Sequence, residues 1–134
     1  MKIYSDYSHY EKNHRYFLNN IAKSLWNDRP HEERREVYGK WVDFFQFESD
    51  IKKADICILT YQWPYYINLK KVSEAWEEVT TAQNKNKPMV IFSGGDYPAN
   101  LPFEDVILFE SAGYRSTPVL RYHSAQPSFI SDYL

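Results

Sequence analysis

Apolar and polar positions alternate along this chain with two periods, and the switches between them outline the elements. Residues 1–5 form a short apolar start that reads as a first strand, with Ser5-Asp6-Tyr7 as its exit loop. Ser8-His9-Tyr10-Glu11 has the S-x-x-E form of a helix capping box. Phe17, Leu18, Ile21, Ala22, Leu25 and Trp26 follow at three- and four-residue spacings, one face of an amphipathic helix that Asn27-Asp28-Arg29-Pro30 ends. Residues 31–40 carry opposite charges three and four apart, which suits an exposed helical face. Asp43-Phe44-Phe45-Gln46-Phe47 fits a short strand or a continued helix, because so short an apolar run does not fix a period. Residues 50–54 suit a helical turn.

Asp55-Ile56-Cys57-Ile58-Leu59-Thr60-Tyr61 is apolar on both faces, as a central strand of a parallel sheet must be. Gln62-Trp63-Pro64-Tyr65-Tyr66 reads as its exit loop, and Asn68 as the cap of the next helix. Leu69, Val72, Ala75, Trp76, Val79 and Ala82 share one stripe, which predicts a helix to about Gln83. Pro88 is tolerated at a strand start, and residues 89–92 are the next buried strand. Ser93-Gly94-Gly95-Asp96-Tyr97 makes a glycine turn carrying an acid. Residues 105–109 read as a strand with Ser111 to Ser116 as exit loop, and residues 119–122 as one more strand. Strand and helix in alternation predict an α/β, Rossmann-like, doubly wound parallel sheet of four or five strands with helices on both faces.

The 134 residues suit a single α/β domain, 1–134, either alone or as the N-terminal half of a longer two-domain protein. A net charge of −2 gives no reason to expect a nucleic acid partner. No apolar run reaches the length of a membrane span. One cysteine, Cys57, excludes an intrachain disulfide, and with no signal-peptide pattern this predicts a cytoplasmic protein. Aromatic residues are frequent, at 18%. They serve equally as core bulk or as a surface for a sugar, nucleoside or protein.

Parallel topology brings every strand's exit loop to one sheet edge, where open α/β sheets bind ligands. The candidate ligand-binding residues there are Asp6, Tyr61, Gln62, Trp63, Gly94, Gly95, Tyr97 and Arg115. Acids and amides bond hydroxyls, rings cover C–H faces, and a guanidinium suits a phosphate or carboxylate. Asp96 is the candidate catalytic carboxylate, to bond a substrate hydroxyl or act as a base, placed by a turn whose glycines allow close backbone approach. Neither a dinucleotide fingerprint nor a P-loop occurs. The four histidines lack the spacing of metal ligands, and Cys57 sits mid-strand, where a structural thiol is expected. No metal or cofactor is expected in this chain.

Residues 87–96, Lys-Pro-Met-Val-Ile-Phe-Ser-Gly-Gly-Asp, with residues 105–109 and the tail Pro127-Ser128-Phe129-Ile130, resemble the N-terminal half of exostosin-like glycosyltransferases. The resemblance covers about the last third of the chain. It implies a glycosyltransferase-B arrangement in which this half shapes a saccharide acceptor site, with a nucleotide-sugar donor bound by a second domain. Asp96 would bond an acceptor hydroxyl, and Tyr61, Trp63 and Tyr97 would stack on the sugar. A second resemblance, to nucleoside deoxyribosyltransferase-like proteins, rests on Ala54-Asp55-Ile56-Cys57-Ile58, then a helix containing Glu74-Ala75, then Lys87-Pro88-Met89-Val90-Ile91. It implies that Glu74 is a nucleophile acting on a nucleoside. A non-catalytic interaction module is the reading from a third class.

Overall fold

The computed structural model describes residues 1–6, 9–94, 99–110 and 123–125. The strands are β1 (Lys2–Tyr4), β2 (Gln46–Phe47), β3 (Ile56–Ile58), β4 (Met89–Ser93), β5 (Ile107–Glu110) and β6 (His123–Ala125). The helices are α1 (Asn20–Leu25), α2 (His31–Tyr38), α3 (Trp41–Phe44), α4 (Trp63–Asn68) and α5 (Val72–Asn84). The sheet order is β2-β1-β3-β4-β5-β6, and every neighbouring pair is parallel. This is the expected Rossmann-like doubly wound sheet, with the two-residue edge strand β2 added to five longer ones. The chain steps outward from β1 to β2, then crosses back to β3 on the other side of β1. The topological switch point therefore lies between β1 and β3.

Side chains along a strand point alternately to the two faces, and both faces here are apolar. Cys57, Leu59, Met89, Ile91 and Leu108 join one core with Ala75, Val79 and Ala82 of α5. Ile3, Ile58, Val90 and Phe92 join the other, packed by Ile21 and Leu25 of α1 and by Trp41 and Phe45 around α3. All five β4 residues are buried, as its central place requires.

Several local expectations are corrected. The capping-box segment does not start one long helix. Glu11 precedes a 3-10 turn over Lys12–Phe17 and makes no side-chain cap. The chain then breaks at Leu18, and Asn19 caps α1 by accepting from Ala22 N at 2.9 Å. The ambiguous run after Trp41 is divided, with α3 ending at Phe44 and β2 at Gln46–Phe47. The segment expected as a loop after β3 is helix α4. Pro64 does not oppose it, because first-turn amides have no partner within the helix. Asn68 is accordingly the last residue of α4, and α5 begins at Val72. The strand expected at residues 119–122 lies outside the described residues. No helix among the described residues is long and apolar enough to cross a membrane.

Candidate functional site

β1 and β3 end side by side, so the segments leaving them meet at the switch point. Ser5 and Asp6 follow β1, and Thr60, Tyr61 and Gln62 follow β3. α4 and α5 then pack back over these ends. At their meeting point stands an acid that sequence reasoning passed over, Glu78 of α5.

Glu78 is partly buried. Its Oε1 accepts from Thr60 N at 3.2 Å and from Thr60 Oγ1 at 2.5 Å. Its Oε2 accepts from the Tyr66 hydroxyl at 3.2 Å. Burial pushes the Glu78 carboxyl up to about 7; the hydrogen bonds from Thr60 and Tyr66 pull the other way, and the Asp6 carboxylate adds to the rise. Near neutral pH this group is thus both a usable acid and a usable base or nucleophile.

Hydroxyls surround it. Tyr66 is 1% exposed; its hydroxyl accepts from Tyr61 N at 3.1 Å. Burial, followed by the charge of Glu78, drives the Tyr66 phenol well above its ordinary value. Ser5 Oγ lies 3.1 Å from the Tyr10 hydroxyl, and burial raises Tyr10 as well. The Asp6 carboxylate lies 3.5 Å from His9 Nδ1, while its carbonyl oxygen is 3.4 Å from Thr60 Oγ1. An acid of adjustable charge, a second carboxylate and several neutral hydroxyls thus meet at the edge where such sheets bind ligands.

The residues expected to bind ligand divide into three groups. Asp6 and Gln62 do lie at this edge. Gln62 is spent on structure, however: its Oε1 accepts from Gly94 N at 2.9 Å and its Nε2 donates to Leu18 O at 3.1 Å. Gly94 is placed by that bond at the end of β4. Tyr61 and Trp63 are corrected from stacking surfaces to core residues, at 2% and 4% exposure. The Tyr61 hydroxyl is also committed, donating to His9 O at 2.6 Å and accepting from Glu11 N at 2.9 Å. Trp63 packs edge-on against Phe103. Gly95, Asp96, Tyr97 and Arg115 lie outside the described residues.

Glu74 is exposed in the first turn of α5. α5 leads from the carboxyl edge back to the start of β4, with Glu74 in its first turn. Glu78, four residues on, sits about 6 Å deeper by the helical rise. That brings it level with Thr60. A sequence signal for it existed: Ala75, Glu78, Val79 and Ala82 fall at spacings of three and four, which puts an acid inside the buried stripe of the helix.

Among the described residues, no three His, Cys, Asp or Glu side chains group as a metal site. An open groove of about 770 Å³, lined by Trp76, Lys87, Pro88, Pro102 and Asp105 among others, lies at the amino ends of β4 and β5, the opposite edge from Glu78. The chain matches no protein-family model, no curated protein and no solved structure, so its function has to be read from these residues.

Proposed function

We propose that this chain is a nucleoside deoxyribosyltransferase-like enzyme whose nucleophile is Glu78 rather than Glu74. The observation that supports it is the partly buried Glu78 carboxyl, raised to about 7 and held by Thr60 and Tyr66 at the β1/β3 switch point. The helix is the one that carries the sequence resemblance, and only the position along it changes.

In the first step the ionised Glu78 oxygen attacks C1′ of a 2′-deoxynucleoside. The C1′–N bond breaks, its electron pair leaves with the base, and the base takes up a proton from water. The sugar is left as a glycosyl ester on Glu78. In the second step a nitrogen of another base attacks C1′, loses its proton, and expels the Glu78 carboxylate. Desolvation favours the first step, because a carboxylate short of water gains by forming a neutral ester. Thr60 and Tyr66 fix the orientation of the attacking group.

The test is base exchange. Purified protein is incubated with a panel of 2′-deoxynucleosides and a second free base, and products are separated by chromatography. Glu78→Gln is expected to abolish exchange and Glu74→Gln to leave it standing. Intact-mass analysis of the wild type without acceptor base is expected to show a deoxyribosyl adduct on Glu78. Exchange that survives Glu78→Gln, or no exchange and no adduct with any nucleoside, overturns the proposal.

A further inference from the structure

The Thr60 hydroxyl has one hydrogen and two acceptors within reach. Glu78 Oε1 lies at 2.5 Å and Asp6 O at 3.4 Å. Against an ionised Glu78 the hydrogen belongs to the carboxylate, because a charged acceptor makes the shorter and stronger bond. When Glu78 gains a proton from solvent, the requirement inverts. The new carboxyl O–H can donate to Thr60 Oγ1, which frees the Thr60 hydrogen to turn to the Asp6 carbonyl. No atom other than the added proton enters or leaves.

We infer that Thr60 is a positioning residue that couples the charge of Glu78 to the segment leaving β1. With Glu78 protonated, Thr60 ties Asp6 O to α5. With Glu78 ionised, the bond from Thr60 is released, Asp6 O keeps its bond from His9 N at 3.1 Å, and Thr60 instead orients the attacking oxygen. The coupling itself is a property of the folded chain. Its catalytic consequence, that Asp6 O gives up its bond from Thr60 in the same form of the enzyme that can attack, rests on the transferase reading above.

The geometry is specific to a hydroxyl at this place. Thr60 is 1% exposed, so water does not compete for its hydrogen. Thr60 N donates to the same Glu78 oxygen, which fixes the carboxyl plane whichever way the hydroxyl turns. The titratable groups that act on Glu78 from the packed elements are Asp6 after β1, Tyr10 beyond it, Cys57 of β3, Tyr61 after β3 and Tyr66 of α4. The tyrosines and Cys57 are all raised by burial and remain neutral through the range in which Glu78 titrates. Asp6 is also the residue whose carbonyl receives the hydrogen.

The experiment is carbon NMR on the full chain, with glutamate labelled at the side-chain carboxyl and aspartate at the backbone carbonyl. The Glu78 signal is assigned by its loss in Glu78→Gln. In the wild type the Asp6 carbonyl is expected to shift with the same midpoint as Glu78. Thr60→Val removes the hydroxyl at nearly constant volume. It is expected to raise the Glu78 midpoint by about one pH unit or more, since a strong bond to the ionised form is lost. It is also expected to flatten the Asp6 response at that midpoint. Thr60→Ser keeps the hydroxyl and is expected to restore both, and Thr60→Ala replaces the valine variant if that does not fold. An Asp6 carbonyl that ignores the Glu78 midpoint in the wild type, or a Glu78 midpoint unmoved without the hydroxyl, overturns the inference. These readouts need no nucleoside, so the transferase reading can fail while the coupling stands. Base exchange with a silent Asp6 carbonyl would sink the coupling alone.

Discussion

The Tyr66 hydroxyl lies 3.2 Å from Glu78 Oε2, and this one contact joins α4 to α5 across the end of β3. The Tyr66 hydroxyl oxygen also accepts from Tyr61 N, so a single phenol serves the backbone of one segment and the charge of another. Tyr66→Phe keeps the ring and removes both bonds. Tyr61 N is then left without its acceptor inside the core. The expected cost is about 1–3 kcal/mol by urea unfolding, the range for stranding a buried donor. The cost is expected to be larger at pH 8 than at pH 5, because the bond to Glu78 is stronger when the carboxylate is charged. Equal costs at the two pH values would count against the donor role of Tyr66.

Glu78 gives the fold its own pH dependence. Its folded value of about 7 lies above the ordinary carboxyl value of the unfolded chain. Between the two, the folded state binds the extra proton, so stability falls as pH rises. The contribution is fully present below the unfolded value and is lost as pH climbs through about 7. The loss is on the order of 3–4 kcal/mol, from the shift at about 1.36 kcal/mol per unit. Glu78→Gln carries no charge to bury, so its melting temperature is expected to match the wild type near pH 5 and exceed it at pH 8. A wild-type profile with no fall between those values would exclude the raised Glu78.

The sheet was legible because its strands carry their own evidence. Residues 56–59 and 89–92 are apolar at consecutive positions, and each alternate residue enters one of two cores. The stripe Val72, Ala75, Val79, Ala82 likewise announced α5. Short elements were not legible. α4 has only six residues and contains Pro64, so its aromatic run carried no period. It is held instead by contacts from elsewhere, such as Trp63 on Phe103. The site was half legible for a related reason. The edge could be found from topology, but depth along α5 could not. Glu74 and Glu78 share a helix face in sequence, and only the end of β3 decides which of them meets Thr60. Tyr61 and Trp63 show the converse: loop-like neighbours in sequence, they are core residues in the fold, Trp63 as the first residue of α4 and Tyr61 through its hydroxyl bonds to His9 O and Glu11 N.

Gln62 joins the start of α4 to two other segments through its backbone N and its side-chain amide. Its backbone N donates to Phe17 O at 2.7 Å, its Nε2 to Leu18 O, and its Oε1 accepts from Gly94 N. It therefore ties the end of the 3-10 turn to the exit of β4. Gln62→Ala removes the two side-chain bonds and is expected to cost about 1–2 kcal/mol in chemical denaturation. Gln62→Glu is the sharper test. As a carboxylate it still accepts from Gly94 N, but it faces Leu18 O with no donor. Its stability is expected to fall below the wild type at pH 7 and to recover as the pH is lowered, when the protonated acid can donate again. A Gln62→Glu variant as stable as the wild type at pH 7 would mean that the Leu18 bond contributes nothing.

Cys57 tests the packing of the sheet itself. It sits on β3 between β1 and β4, 1% exposed. Burial pushes its thiol up to about 11, with a nearby lysine, Lys87, pulling slightly the other way. Only the thiolate reacts with disulfide reagents, and at pH 8 a thiol raised this far is ionised in about one molecule in a thousand. Access is a separate barrier, since reagent cannot reach a central strand without opening the sheet. Labelling of the native protein by an aromatic disulfide reagent is therefore expected to be slow and to rise with urea in parallel with unfolding. Cys57→Ser should label not at all and should lose about 1–3 kcal/mol, because its hydroxyl enters an apolar layer. Rapid labelling in the absence of urea would place Cys57 at the surface and would contradict the central position of β3.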